Sequence, residues 1–76
     1  MQSEIKVAIY EDNDALRNSL THLIKGTGSL TFVGAYPDCR DIIENCETDK
    51  PDVILMDIDM PFITGIEATR LVKDKY

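Results

Sequence analysis

Two short acidic stretches hold the residue types best able to do chemistry in this 76-residue chain. Glu11 and Asp12 close a segment in which Ile5, Val7 and Ile9 alternate with Lys6 and Ala8. Asp57 and Asp59 close the aliphatic run Val53-Ile54-Leu55-Met56. Carboxylates brought together repel: two unit charges about 4 Å apart cost about 4 kcal/mol at an effective dielectric near 20. Such a cluster is tolerated where a cation sits in it, or where one group takes up a proton. Few hard oxygen ligands, with room left for water and a phosphate, suit Mg2+ or Mn2+ better than a many-ligand Ca2+ cage. A strand-end aspartate beside such an ion also suits phosphoryl transfer, with the carboxylate as nucleophile. A plainer reading makes Glu11, Asp12 and Asp14 first-turn acids of a helix, where negative charge is favourable.

The elements that must position these groups follow from periodicity and punctuation. The alternation ending at Tyr10 predicts a strand over residues 5–10. Leu16, Leu20, Leu23 and Ile24 then recur at the spacing of one helix face, predicting a helix over 14–25. Asn13 or Asp14 can cap its start, and Gly26 or Gly28 can stop it. Leu30-Thr31-Phe32-Val33-Gly34-Ala35 is β-rich and bounded by glycines and Pro37, so a second strand is expected over 30–35. Asp38 stands as N-cap of a helix over 38–48 that presents Cys39, Ile42, Ile43 and Cys46 on one face. Asp49-Lys50-Pro51 breaks it. The run over 52–57 does not alternate, which suits a strand buried on both faces in the middle of a parallel sheet. A loop with Pro61 and Gly65 leads to a last helix over 65–74.

The order βαβαβα, with helical crossovers, requires parallel strands and gives an α/β fold. Right-handed crossovers and the strand order 2-1-3 put the first and second helices on opposite faces of the sheet. The carboxyl ends of the first and third strands then become neighbours, at the switch point where open α/β sheets place ligands. That is where Glu11, Asp12, Asp57 and Asp59 stand.

Composition narrows the function classes. With 14 acidic and 8 basic side chains the net charge is −6, and the basic residues are scattered. This argues against direct nucleic-acid contact through phosphate neutralisation. The chain holds by charge either a cation or a basic face of another protein. No aliphatic run approaches the roughly 20 residues of a membrane span, and the N-terminus lacks the pattern of a signal peptide. A cytoplasmic, membrane-independent protein is expected. Cys39 and Cys46, if seven residues apart on one helix, lie about 10.5 Å apart. That is beyond the ~7 Å a disulfide bridges, and buried free thiols are expected.

The segment from Val53 through Asp57, Pro61 and Gly65 to Arg70 resembles the phosphoacceptor segment of response-regulator receiver domains of two-component signalling. Lys6-Val-Ala-Ile-Tyr-Glu11-Asp12-Asn13 is similar to that family's first strand and acidic pair. The match runs from about residue 5 to the C-terminus. It implies a flavodoxin-like receiver fold, truncated here to three strands and three helices. It also implies that Asp57 accepts a phosphoryl group from a histidine kinase or a small phosphodonor. By the same resemblance Asp12 and Asp57 would ligate Mg2+ (or Mn2+), with the backbone carbonyl of Asp59 as a further ligand and Glu11 acting through water. Pro61 and Gly65 would shape the loop after Asp57. The Asp59 side chain would tighten the metal dependence, so equal Mg2+ affinity in Asp59→Asn would count against that role.

Family members carry a switch Thr or Ser and a Lys on later strands, and both are absent here. Thr64 and Thr69 lie too early, and Lys73 and Lys75 fall in or after the third helix. The output domain is likewise absent, and the wording of the segment resembles regulators whose output is a helix-turn-helix DNA-binding domain. The third strand would then be an exposed apolar edge, so self-association by strand pairing or swapping is expected. Phosphorylation would alter charge and bias a two-state surface, a switch and not a turnover enzyme. Two alternatives compete: a phosphorylation-independent receiver-like interaction module, and a phosphohydrolase of the haloacid-dehalogenase type. The latter shares a hydrophobic strand ending in Asp57-Ile58-Asp59. It normally carries that motif on its first strand, and here Pro61 stands where it has Thr or Val.

Overall fold

The computed structural model describes residues 4–57 and 64–75. Three strands, β1 (Ile5–Tyr10), β2 (Leu30–Tyr36) and β3 (Val53–Met56), alternate with three helices, α1 (Asp14–Lys25), α2 (Ile42–Asp49) and α3 (Gly65–Lys75). All strand pairs are parallel and the order is β2-β1-β3, as the crossover argument requires.

Alternation along β1 divides the core in two. Val7 and Ile9 face α1, meeting buried Ile24 with Leu20, Leu30 and Phe32 around them. Ala8 and Tyr10 face the other side, packed with Cys39, Ile42, Cys46 and Ala68 beneath α2 and α3. The first and second helices therefore lie on opposite faces. Register shifts between Val7 and Ala8, where Phe32 and then Gly34 are the partners, leaving Val33 as an extra residue in β2. Such a bulge re-aims the strand end.

Capping explains the helix ends. Asn13 accepts the Leu16 amide on its Oδ1 at 2.9 Å, satisfying one of the free N–H groups at the start of α1. Gly26 closes that helix, its amide donating to the carbonyls of His22 and Ile24. At α3, the Thr64 hydroxyl accepts from the Glu67 amide at 3.2 Å and the Glu67 carboxylate accepts from the Thr64 amide at 3.4 Å. This reciprocal pair is a capping box. Lys50 ends α2 in the left-handed conformation, at φ 49°, with Pro51 next.

Three expectations need correction. α2 begins at Ile42 and not at Asp38. The Asp38 carboxylate accepts the Arg40 amide two residues on, at 2.9 Å, a local turn that competes with helix initiation. Cys39 consequently precedes the helix, so the single-helix distance argument for the two thiols does not apply, although both are buried and free. The α1 face is also less buried than its spacing suggests: Leu16 and Leu23 are 47% and 65% exposed. Finally, β3 is covered on one face only. Ile54 and Met56 pack under α2 and α3, whereas Val53 and Leu55 are 43% and 39% exposed. The strand lies at the end of the sheet, with α1 packed over β1 and β2 instead of over β3.

Candidate functional site

The carboxyl ends of β1 and β3 meet as adjacent parallel strands. The ladder runs from Val7 opposite Val53 to Tyr10 opposite Met56. It is extended by one bond, from the Asp57 amide to the Tyr10 carbonyl at 3.0 Å. On the other side of β1, the Glu11 amide donates to the Tyr36 carbonyl at 3.0 Å. Glu11 and Asp57 are thus each set by a backbone bond to the residue that ends a neighbouring strand.

Three of the four carboxylates read from the sequence can be placed. One oxygen from each of Glu11, Asp12 and Asp57 lies within 4.8 Å of the other two. Glu11 is buried, Asp57 is half-buried and Asp12 is exposed. Asp59 and Pro61 lie outside the described residues. Gly65 is buried as the first residue of α3, where the last helix was expected to begin. The plainer reading of the acids as a helix first turn holds for Asp14 alone, because Glu11 and Asp12 precede the Asn13 cap.

The turn from Glu11 to Asp14 is held from several directions. Glu11 Oε2 accepts the Asn13 amide at 3.0 Å. Arg17, one turn into α1, donates through one guanidinium nitrogen to the Glu11 carbonyl at 2.9 Å and through another to Asp14 at 2.6 Å. Sequence reasoning passed over Arg17. The signal was its place three residues after Asp14, where an acid and a base face each other on a helix.

Below the site lies a second polar group that the sequence did not announce. Tyr10 and Tyr36 stack with ring centroids 5.1 Å apart, and the Tyr36 hydroxyl donates to Asp49 at the end of α2. Burial pushes the Tyr36 phenol up to about 12, aided by that bond and by the Asp49 charge. Burial raises the Tyr10 phenol as well, followed by the influence of Cys46.

The donor set fits a small divalent cation. Oxygens bound octahedrally at about 2.1 Å from one ion are themselves about 3–4 Å apart, inside the spread found here. Without a cation, three carboxylates at this separation repel by about 3 kcal/mol per pair at an effective dielectric near 20. An ion of charge two offsets that repulsion, and all-oxygen donors favour Mg2+ or Mn2+ over softer metals.

The family model of the response regulator receiver domain matches residues 7–76. The chain belongs to that family. It is 38% identical over 69 residues to the uncharacterized transcriptional regulatory protein YxjL of Bacillus subtilis, covering 91% of this chain and 32% of that protein. It is also 38% identical over 69 residues to a protein-glutamate methylesterase/protein-glutamine glutaminase of Paramagnetospirillum magneticum, covering 91% of this chain and 20% of that one. The response regulator domain of Thermotoga maritima CheB superposes with a TM-score of 0.88 at 36% identity, over 95% of this chain and 54% of that structure. The three-stranded parallel sheet and its helices are thus the flavodoxin-like receiver architecture. The chain spans a third or less of the length of these two relatives. Among the described residues, no helix is long and apolar enough to cross a membrane.

Proposed function

We propose that this chain is a phosphoacceptor module in which Asp57 takes a phosphoryl group from a histidine kinase's phosphohistidine, or from a small phosphodonor. The observation that carries the reading is the meeting of Asp57 with Glu11 and Asp12 at adjacent strand ends, within a receiver-family chain. An Asp57 carboxylate oxygen attacks phosphorus, the new O–P bond forms as the P–N bond breaks, and the electron pair leaves on the imidazole. Asp12 and Asp57 would hold Mg2+ or Mn2+, with Glu11 acting through water and the Asp59 carbonyl as a further ligand. A bound divalent ion supplies positive charge against the phosphoryl oxygens. Glu11, half of whose carboxylate is already engaged by the Asn13 amide, keeps the acidic turn in place.

The product is an acyl phosphate, which carries about two negative charges where the free carboxylate carried one, adds acceptor oxygens and biases the surface presented to partners. Acting once per donor, Asp57 is a switch and not a turnover centre. Its output would be a domain elsewhere in a longer protein: a transcriptional regulator, as the resemblance to helix-turn-helix regulators suggests, or an enzyme, as in the methylesterase relative. Labelling with a phosphodonor tests the reading. Stoichiometric, hydroxylamine-labile label on Asp57 supports it, and continuous turnover of a phosphate monoester would support a phosphohydrolase instead.

Self-association through β3 belongs to the same reading. Its support is a terminal strand whose Val53 and Leu55 are exposed, an arrangement prone to edge pairing. Sedimentation at micromolar concentration is expected to show species larger than the monomer. A monomer that unfolds cooperatively would contradict it.

A further inference from the structure

The Glu11 carbonyl and the Asp14 carboxylate are bound by one side chain, and that side chain sits at the rim of the carboxylate cluster. Arg17 Nη1 donates to the Glu11 carbonyl at 2.9 Å and Nη2 to Asp14 Oδ1 at 2.6 Å. Surface ion pairs usually contribute little because long side chains must be immobilised. Here the Arg17 side chain is only 18% exposed, although the Asp14 side chain it meets is 83% exposed. The Arg17 carbonyl accepts the Thr21 hydroxyl at 2.8 Å, anchoring that turn of α1 to the next. A planar fork with one arm on each end of a four-residue turn fixes the relative placement of those ends, which a flexible ammonium does not do.

We propose that Arg17 is a positioning residue for the acidic cluster: it holds the Glu11–Asp14 turn so that the Glu11 and Asp12 carboxylates stay together with Asp57. The inference rests on the metal-binding reading above and adds the group that sets its geometry. Two effects of the guanidinium oppose each other. Its charge, taken alone, repels a cation, so removing it would tighten metal binding. Its hydrogen bond to the Glu11 carbonyl preorganises the ligands, so removing it loosens binding. The Asp14 end of the fork is 83% exposed, so solvent and salt screen the charge effect there, and preorganisation prevails. Groups that orient metal ligands in this way typically govern affinity by about 10- to 100-fold.

The sign of the change is therefore the test. Mn2+ affinity is measured by electron paramagnetic resonance on the wild-type chain, Arg17→Ala, Arg17→Lys and Asp14→Asn, with thermal unfolding followed for each. Arg17→Ala is expected to weaken Mn2+ binding about tenfold or more. Arg17→Lys should fall between it and the wild type. Asp14→Asn, which keeps the Glu11 contact, should stay within about twofold of the wild type. Unchanged or tighter binding in Arg17→Ala overturns the proposal. So does an Asp14→Asn loss equal to that of Arg17→Ala, or wild-type affinity in Arg17→Lys. If Arg17→Ala does not fold, Arg17→Lys and Asp14→Asn decide by the same criteria. A wild-type chain that binds no Mn2+ removes the metal reading itself, whereas equal binding across all four chains removes only the role of Arg17.

Discussion

The amide of Asp57 donates to the carbonyl of Tyr10 at 3.0 Å, so the residue ending β1 fixes the first residue beyond β3. The same Tyr10 sends its ring into the core against Tyr36, whose carbonyl in turn holds the Glu11 amide. Two stacked tyrosines thus join the backbone on both sides of the acidic cluster to the core beneath α2. The site is built on strand ends and not on mobile loops, which is how a small sheet keeps three like charges close.

Charge removal should act with opposite sign on binding and on stability. Asp12→Asn is expected to weaken Mg2+ or Mn2+ binding about tenfold or more, and Glu11→Gln to weaken it less, since in the proposed site Glu11 would act through water. In metal-free buffer Asp12→Asn should instead raise the melting temperature, by the equivalent of about 1 kcal/mol for a partly exposed, screened charge. Titration calorimetry and circular dichroism on the same samples check both. Destabilisation in metal-free buffer would show that the three charges are not in conflict.

Gly34 is required by a close approach. A Cβ there would lie 2.5 Å from Asp49 Oδ2 and 2.7 Å from the Tyr36 hydroxyl oxygen. The obstructing atoms are side-chain ends, so the chain can yield, but only by breaking the bond between them. Gly34→Ala should cost about 1–3 kcal/mol. In an Asp49→Ala background the cost should drop by at least half. Equal costs in the two backgrounds would mean that the Tyr36 ring, whose Cε2 lies 2.9 Å from that Cβ, and not the Asp49 carboxylate demands glycine.

Alkaline pH should destabilise the protein in two overlapping stages, thiols first and phenols next. Burial, helped by the Asp38 charge, pushes the Cys39 thiol from its ordinary 9.0 up to about 11. The Tyr36 phenol rises from 10.0 to about 12, and Cys46 and Tyr10 shift the same way. Each group binds its proton more tightly when folded. Its contribution is complete below the ordinary value and lost as pH rises toward the folded value. The melting temperature should therefore hold to about pH 9 and fall between pH 9 and 12, with Cys39→Ala delaying the onset. A flat profile to pH 11 would contradict these burials.

Much of this was legible in the sequence because it depends on period and punctuation. The alternation to Tyr10, the acids after it and the aliphatic run to Asp57 are local patterns, and crossover handedness then brings the strand ends together. What was not legible depends on competition or on coverage. Asp38 looks like a helix cap, but its bond to the Arg40 amide postpones α2 to Ile42. Val53 and Leu55 read as interior residues because a continuous run does not say whether both faces are covered. The Thr64–Glu67 capping box was readable as T-x-x-E and passed over. Gly34 against Asp49 could not be found, since the two are fifteen positions apart in sequence, at opposite ends of a loop and a helix.

The most direct test of the phosphoacceptor reading is the intact mass of the chain after incubation with Mg2+ and acetyl phosphate. The prediction is a gain of one phosphoryl group in the wild type that is absent in Asp57→Asn. No gain in the wild type, or a gain that persists in Asp57→Asn, would contradict it.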